Sequence, residues 1–375
     1  MKSRFRKIVI GSLACLIMAG LNSCKKPVDD LEGNEKMLLE ILKNYTDNTV
    51  IKTYSLLADK SMELLELCEA LQASKTNTNI QVAANKWVEA RKYWEMSEAF
   101  LYGPAEYYAL DPRIDSWPLD KDQLDQQLAK DMSAVDAEYV RGHYGVNLIG
   151  FHALEYVLFE DGQAKDISKI SDDELIYLVA VAGVLMEDCI RLEAAWNQNI
   201  SAKKLGILAD AELEVLNNFG KEMINAGSAG SRFITPQQAV REIVVGCETI
   251  VDEVGNEKIA DPYHSKNVLS VESWYSWNSL ADFMDNIRSV ENSYLGGIEG
   301  SRSGTSLSAY VLLKNPQLDA NIKAAIADAI AKIKAIPAPF RNQLNNAGSA
   351  PAIEAAMDAC NHLAEQLSLI DDIIE

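Results

Sequence analysis

The chain has 375 residues, of which 35 are basic and 55 acidic, and its net charge at pH 7 is −20. A surface this acidic repels polyanions, so we exclude nucleic acid as a partner and disfavour charge-driven binding to anionic lipid. The length exceeds the size at which one hydrophobic core usually divides, so we expect two domains.

The first 24 residues have the pattern of a bacterial secretory signal that ends in a lipid-attachment site. Four basic side chains precede an apolar stretch over residues 8–21, which is too short and too poorly flanked for a permanent transmembrane helix. The stretch ends in Leu21-Asn22-Ser23-Cys24, which resembles the lipobox whose cysteine carries the acyl chains. We predict a lipoprotein signal peptide over residues 1–23 and lipidation at Cys24. The alternative is an ordinary signal peptide with an incidental cysteine.

The residues after Cys24 predict where the mature protein is held. Lys25, rather than aspartate, follows the cysteine, which in Gram-negative sorting favours the outer membrane. Residues 24–33 form a short polar tether. Because residues 1–23 contain four basic and no acidic side chains, their removal lowers the net charge from −20 to −24. We therefore expect a cell-envelope protein that meets the membrane through its lipid anchor only.

Four cysteines remain in the mature chain besides the anchor: Cys68, Cys189, Cys247 and Cys360. They lie far apart and form no CxxC pair. The predicted compartment permits disulfides, for which three pairings exist, and burial as free thiols is the alternative.

The periodicity after the tether is helical almost throughout. Leu57, Leu64 and Leu71 recur every seven residues, as on the inward face of a helix. Acidic residues 172–174 open a helix that we expect to reach Trp196. Thr235-Pro236 is typical of an N-cap followed by a first-turn proline, and predicts a helix that includes residues 239–254.

The remaining pattern predicts an all-α protein with two helical-bundle domains. Later helices are expected over residues 273–290, 318–334 and 352–370, and loops over residues 103–121, 225–232, 255–268 and 296–305. Strand patterns with hairpin turns are missing. An N-terminal half over residues 34–205 and a C-terminal half over residues 206–375 would each suit a four-helix-type bundle.

The strongest candidate for chemistry is the segment that begins at Gly150. His152 and Glu155 point the same way on a helix, and Leu148 and Phe159 extend their stripe as apolar neighbours. Burying an imidazole and a carboxylate without partners would cost roughly 2 kcal/mol or more for each group. The two groups must therefore pair with each other, with an arginine or with a metal ion. Gly150 is unfavourable within a helix and makes sense where another backbone or a ligand comes close. The alternative is a core histidine with a structural carboxylate.

A second set of charges lies upstream, on the face of a predicted helix. At spacings of four, three, four and three residues, this face carries Trp87, Arg91, Trp94, Glu98 and Leu101. Arg91 and Glu98 would then lie on an aromatic seam, either as a structural network or as a polar pocket in which Arg91 orients a carboxylate such as Glu155.

Two further segments are candidates for the same pocket. Residues 113–118 form a rigid loop that places Asp115 beside the large aromatic Trp117. Residues 272–279 mix hydroxyls and amides with tryptophan and lead to Asp282. On one interpretation, Ser276 and Asp282 line a polar cleft. On the other, the polar residues of this region are helix caps and exposed surface side chains.

Together these segments resemble the imelysin family of bacterial envelope proteins. Its named motif, GxHxxE, is present as Gly150-Phe151-His152-Ala153-Leu154-Glu155. Further matches are the Trp87/Arg91/Trp94 helix leading to Gly103-Pro104, residues 114–118, and residues 273–282 leading to Tyr294-Leu295-Gly296. The resemblance implies two helical-bundle domains with the motif in a cleft between them, a role linked to iron uptake, and a peptidase label inherited from founding members.

The residues do not favour the peptidase label. A zinc hydrolase usually needs three protein ligands and a nearby carboxylate base. HExxH is absent, and the inverted HxxEH motif would need histidine where this chain has Tyr156. A metallopeptidase using His152 and Glu155 stays an alternative, as does a non-enzymatic protein whose cleft binds a partner receptor.

A site for iron or another divalent metal requires fewer specific residues than a zinc hydrolase site, because one histidine with several carboxylates is a suitable ligand set. We predict His152 and Glu155 as metal ligands. Ligand-binding positions are further predicted at Arg91, Glu98, Asp115, Gly150, Ser276 and Asp282. The predicted function is an envelope lipoprotein that binds iron, or an iron-containing ligand, in an interdomain cleft and aids iron uptake. An outer-membrane receptor is a candidate partner.

Overall fold

The computed structural model describes residues 33–374, so the predicted signal peptide, Cys24 and nearly all of the tether lie outside the described residues. The described part is all-α, as predicted. Its α-helices, in chain order, are α1 (Gly33–Tyr45), α2 (Ile51–Ala73), α3 (Asn77–Glu95), α4 (Pro104–Tyr107), α5 (Asp111–Ile114), α6 (Lys121–Leu128), α7 (Ala137–His143), α8 (Gly150–Leu158), α9 (Asp172–Trp196), α10 (Ala202–Asp210), α11 (Phe219–Ile224), α12 (Pro236–Glu253), α13 (Ala260–Ser265), α14 (Ser279–Leu295), α15 (Leu307–Lys314), α16 (Pro316–Ala335) and α17 (Ala350–Ser368).

Long helices build the core in both predicted halves of the chain. In the first half α2 packs against α3 and α9, and in the second half α17 packs against α12 and α16. Contacts of α3 with α14, and of α1 with α12, join helices of the two halves directly. The buried apolar side chains of residues 33–374 form one cluster. The division between residues 205 and 206 stays a prediction.

Several elements begin and end where the sequence predicted. The stripe of Leu57, Leu64 and Leu71 on α2 is fully buried. The helix α9 starts at Asp172 and ends at Trp196. The hydroxyl of Thr235 caps α12 by accepting a hydrogen bond from the backbone of Gln238. These features depend on residues close together in the sequence, so local spacing is enough to reveal them.

Other boundaries were predicted wrongly. The helix expected over residues 273–290 is α14, which begins only at Ser279, because Ser273 and Trp277 adopt positive φ angles of 51° and 61° that a helix does not allow. The loop expected over residues 255–268 is largely a π-helix (Val254–Ile259) followed by α13. A short hairpin was also missed, formed by β1 (Phe159–Glu160) and β2 (Gln163–Ala164) after α8.

Two further observations concern the cysteines and the membrane. Cys68, Cys189, Cys247 and Cys360 are buried free thiols. Among the helices of residues 33–374, none combines the length and the apolar character needed to span a bilayer.

The start of α9 provides a test of the fold. Ser171 and Glu174 form a reciprocal capping box, in which Ser171 Oγ accepts from the backbone N of Glu174 at 3.1 Å and the Glu174 carboxylate accepts from the backbone N of Ser171 at 2.7 Å. We expect Ser171→Ala to lower the free energy of unfolding by about 1 kcal/mol, measured by urea denaturation. The control Ser74→Ala, at an exposed helix end, should cost less than about 0.5 kcal/mol. Equal losses would contradict the capping role.

Candidate functional site

The candidate site forms around Arg91, whose side chain is fully buried on α3. Its Nη1 donates to Asp115 Oδ1, and its Nη2 lies 2.7 Å from Glu272 Oε1. The same Nη2 is 2.7 Å from Glu95 Oε1, and Nε is 3.6 Å from Asp282 Oδ2. Leaving a buried charge without its partner costs about 3–5 kcal/mol, so this cluster holds three distant segments together.

The structure corrects two expectations about this helix. The helix α3 ends at Glu95, so Glu98 and Leu101 do not lie on the same face as Arg91 but on a 3₁₀ turn (Glu98–Phe100) and just after it. Within the described residues, the carboxylates near Arg91 do not include Glu155. Arg91 therefore faces Asp115 and Glu272 and not Glu155, which the sequence had suggested as an example.

Gly150 is the first residue of α8 and has a φ of +82°. A Cβ atom at this position would lie 2.4 Å from the carbonyl O of Ile114 and 2.8 Å from that of Arg113, closer than such atoms approach. Gly150 is therefore needed because another backbone segment lies close to it. The sequence had left open whether that neighbour was a backbone or a ligand. Because Asp115 directly follows Ile114, the glycine lets this carboxylate come next to the start of α8.

His152 and Glu155 are both fully buried on α8, as their spacing predicted. His152 Nδ1 lies 3.0 Å from Glu155 Oε2, and the opposite ring nitrogen, Nε2, lies 3.1 Å from Asp115 Oδ1 and 3.9 Å from Glu272 Oε1. The ring of Trp117 covers the imidazole, with 4.5 Å between the ring centroids. The imidazole is thus held on one edge and directs its other nitrogen at two carboxylates.

Both carboxylate oxygens of Glu155 are engaged. Oε2 faces His152, and Oε1 accepts hydrogen bonds from the backbone N and the Oγ of Ser276, at 2.8 and 2.7 Å. The segment before α14 therefore fastens the carboxylate that orients the imidazole. Asp115 is fastened in a similar way, since its Oδ2 accepts from Trp94 Nε1 at 2.6 Å.

Three charged residues of this site were not predicted from the sequence. Glu95 lies four residues after Arg91, a spacing that could have revealed it. Glu272 opens a segment that was noted for its hydroxyls and aromatic residues, but its carboxylate was not singled out. Lys258, on the π-helix, lies 3.2 Å from Glu272 Oε2 and 3.8 Å from a carboxylate oxygen of Glu98. No local pattern indicated Lys258.

The carboxyl groups of the site differ in how strongly their surroundings favour the charged form. Burial opposes ionisation of Asp115, but Arg91 and His152 outweigh it and hold the pKa of Asp115 below its usual value. Burial raises the pKa of Glu95 and Glu98 well above the usual value, and it raises the pKa of Asp282 to about 7 despite Arg91. Burial therefore favours the protonated form of these three carboxyl groups, whereas Asp115 is held in its charged form.

A set of metal-ligating atoms is present in the site. Asp115, His152 and Glu272 each offer one ligand atom, and these atoms all lie within 4.8 Å of one another. The buried Nε2 of His152 lies 3.1 Å from Asp115 Oδ1. Asp115 and Glu272 also line a cavity of about 440 Å³. This arrangement can bind a cation through one nitrogen and two oxygens.

Comparisons with known proteins agree with the motifs. The sequence profile of the imelysin family matches residues 50–370. The iron-regulated protein A of Synechococcus elongatus is 26% identical over 362 residues, which cover 96% of this chain and 92% of that protein. A crystal structure from Parabacteroides distasonis, described as an iron-regulated protein A precursor, has a TM-score of 0.81 and 30% identity, covering 92% of this chain and 97% of that chain. An imelysin-like protein from Psychrobacter arcticum shares the fold, with a TM-score of 0.62 and 14% identity over 92% of this chain and 94% of that chain.

The role of Gly150 can be tested by adding one methyl group. We expect Gly150→Ala to lower the free energy of unfolding by about 2 kcal/mol or more, because the new Cβ collides with the Ile114 carbonyl and the φ angle is strained. The matched control is Gly206→Ala on α10, where a Cβ meets nothing within 4 Å and alanine should stabilise by up to about 1 kcal/mol. Similar effects in the two variants would refute the close-approach argument.

The charge of His152 predicts a pH dependence of stability. Burial and Arg91 oppose its protonation, but Asp115 and Glu155 outweigh them and raise the pKa of His152 from 6.5 to about 9. The resulting stabilisation is fully present below pH 6.5 and is lost as the pH rises to about 9. In metal-free buffer, urea unfolding should show wild type exceeding His152→Gln by about 2–4 kcal/mol more at pH 6 than at pH 10.

The control for this measurement is His362→Gln, since the side chain of His362 is 58% exposed. Its difference from wild type should stay within about 0.5 kcal/mol at both pH values. A difference between wild type and His152→Gln that does not change with pH would show that the histidine is not held in its charged form.

Proposed function

The chain belongs to the imelysin family, and on that basis we propose that it is an envelope lipoprotein that binds iron, or an iron-containing ligand, and aids iron uptake. Its similarity to proteins described as iron-regulated protein A supports an iron-related role. The binding position in this proposal is the cluster of Asp115, His152 and Glu272.

One observation carries the proposal. His152 Nε2 is buried and lies 3.1 Å from Asp115 Oδ1 and 3.9 Å from Glu272 Oε1, so one imidazole nitrogen and two carboxylate oxygens converge on one place. An imidazole nitrogen with two carboxylate oxygens is a donor set that suits iron and other divalent first-row metals. The residues present therefore fit the metal that the relatives suggest, and the metal would act there as the bound cargo.

Glu155 has a different task in this proposal from the ligand role that the sequence predicted. Its oxygens already face His152 and Ser276, so it is suited to orient the imidazole through Nδ1. Carboxylates behind a ligating histidine commonly fix the ring and make it a better ligand. The ligand role of Glu155 stays a prediction, and the contacts favour the orienting one.

Arg91 allows the site to exist without a metal ion. Its guanidinium neutralises Asp115 and Glu272, which would otherwise repel each other in the core. Arg91 also has Glu95 and Asp282 as neighbours, so its guanidinium keeps polar partners if the first two carboxylates bind a cation. The arginine is therefore a positioning residue and an internal counter-charge.

The cellular setting of the proposal is supported by the N-terminal sequence. The basic segment, the apolar stretch and Cys24 have the order of a lipoprotein signal, and Lys25 favours the outer membrane. A lipid anchor would hold the acidic protein at the membrane without a spanning helix, where a receptor for iron-containing ligands is a fitting partner. These features lie outside the described residues.

A metal titration tests the proposal. The full chain, purified and stripped of metal, should bind about one equivalent of Fe²⁺ under anaerobic conditions at the histidine cluster, measured by calorimetry. His152→Ala should weaken this binding by at least about 100-fold, and Glu155→Gln by about 10- to 100-fold, because it removes the orienting carboxylate.

The matched control is His362→Ala, which removes an exposed histidine and should leave the affinity within about twofold. If wild type and His152→Ala bind Fe²⁺ equally, or if neither binds it, the proposed metal role is lost. Circular dichroism of each variant confirms that a loss of binding is not a loss of the helical fold.

A further inference from the structure

A cavity of about 870 Å³ has no part in the proposed iron site. Three arginines line it: Arg113 of α5, Arg141 of α7 and Arg191 of α9. Cavities of this size commonly bind small organic molecules. In a chain whose net charge is −20, a cavity with three guanidinium groups in its wall is a local exception to the acidic surface.

Two neighbouring carboxylates of α9 hold these arginines in place. Asp188 Oδ2 accepts from Arg113 Nε at 2.8 Å, and Asp188 Oδ1 accepts from Arg191 Nη1 at 3.3 Å. Glu187, the preceding residue, accepts from Arg141 Nη1 at 2.6 and 2.7 Å. Both carboxylates are buried. Because α5, α7 and α9 share these two acceptors, three segments of the chain bring their guanidinium groups to one place.

This pairing leaves most of the guanidinium donors unused. A guanidinium carries five N–H groups on three nitrogens, and it often binds a carboxylate through two of these nitrogens at once. Here each arginine contacts its carboxylate through a single nitrogen, which is Nε in Arg113 and Nη1 in Arg141 and Arg191. Because all three residues line the cavity, their remaining N–H groups can bind acceptors that enter it.

Arg191 gives independent support for a ligand in this cavity. Its Nε is buried and has no hydrogen-bond acceptor among residues 33–374. Buried N–H groups without an acceptor are unfavourable and rare in native proteins. The described residues therefore satisfy this guanidinium incompletely, and an anion that binds it would supply acceptors that they lack.

The positive and negative charges around the cavity differ in their exposure to water. Three guanidinium groups face two buried carboxylates, which leaves one positive charge in excess, and the arginine side chains are only 19–22% exposed. Four further acids that line the cavity are exposed: Asp136, Glu138, Asp210 and Glu212. Water and salt screen exposed charges more strongly than partly buried ones. The attraction that an entering anion meets is therefore screened less than the repulsion.

We propose that this cavity binds a small organic anion that carries two or more carboxylate groups. The planar fork of a guanidinium matches the two oxygens of a carboxylate. Several carboxylates on one molecule provide separate acceptor groups for the three arginines, which a single inorganic oxyanion does not. The proposal does not depend on iron binding at His152, because none of the three arginines contributes to the histidine cluster.

Calorimetric titration of the metal-free full chain with citrate tests the proposal. Arg191→Gln should bind citrate at least about tenfold more weakly than wild type, because it removes a charged donor group while Asp188 keeps Arg113 as its partner. Arg191→Lys retains the charge but loses the fork, and should bind at least about threefold more weakly. The matched control Arg241→Gln makes the same change of net charge at a side chain that is 44% exposed, and should change the affinity less than about twofold.

A second titration with inorganic phosphate tests the class of ligand. Phosphate should bind wild type at least about tenfold more weakly than citrate, because one phosphate group offers acceptors to fewer guanidinium groups. Phosphate affinity equal to that of citrate would contradict the assignment to an organic anion with several carboxylates.

Two results would overturn the site itself. One is citrate binding that is undetectable in folded wild type, and the other is an affinity that is equal in wild type and Arg191→Lys. Because Arg191→Lys keeps a positive charge beside Asp188, this comparison remains decisive if Arg191→Gln does not fold. His152→Ala should leave the citrate affinity within about twofold, so a failure of this proposal is distinguishable from a failure of the iron role.

Discussion

The buried charge of Arg91 is the constraint on which the rest of the site depends. A guanidinium in the core must be surrounded by acceptors, and here they come from the same helix, from the loop after α5 and from the segment before α14. Satisfying one arginine therefore requires Asp115 and Glu272 to meet at one place, although 156 residues of sequence lie between them. The site is assembled because its charges cannot be left unpaired.

Around this core of charges, backbone geometry decides which atoms are presented. Because Gly150 has no Cβ and a positive φ, the Ile114 carbonyl can lie close to it. Asp115, which follows Ile114, then faces His152. Glu155, fastened by Ser276, turns the imidazole so that Nε2 faces the carboxylates. In this chain the three named positions of the GxHxxE motif therefore act together: the glycine admits the loop, the histidine presents a nitrogen, and the glutamate fixes the ring.

An excess of buried carboxylates gives the site its chemical character. Two basic side chains, Arg91 and Lys258, act as internal cations, while burial raises the pKa of Glu98 and Asp282. A core that holds so many acids is costly to maintain, and it is useful where an external cation enters. Membership of the imelysin family and similarity to iron-regulated protein A support an iron-related role.

The sequence by itself determined the all-α fold, the ends of α9, and the burial of His152 and Glu155, because these depend on spacings of a few residues along one helix. It also selected the loop that carries Asp115. Only the tertiary structure decided that Glu272 and Lys258 join the site, and that the helix expected from residue 273 is delayed by positive φ angles. Periodicity reports which face of a helix is buried, whereas the partner that meets that face is set by packing between segments far apart in the chain.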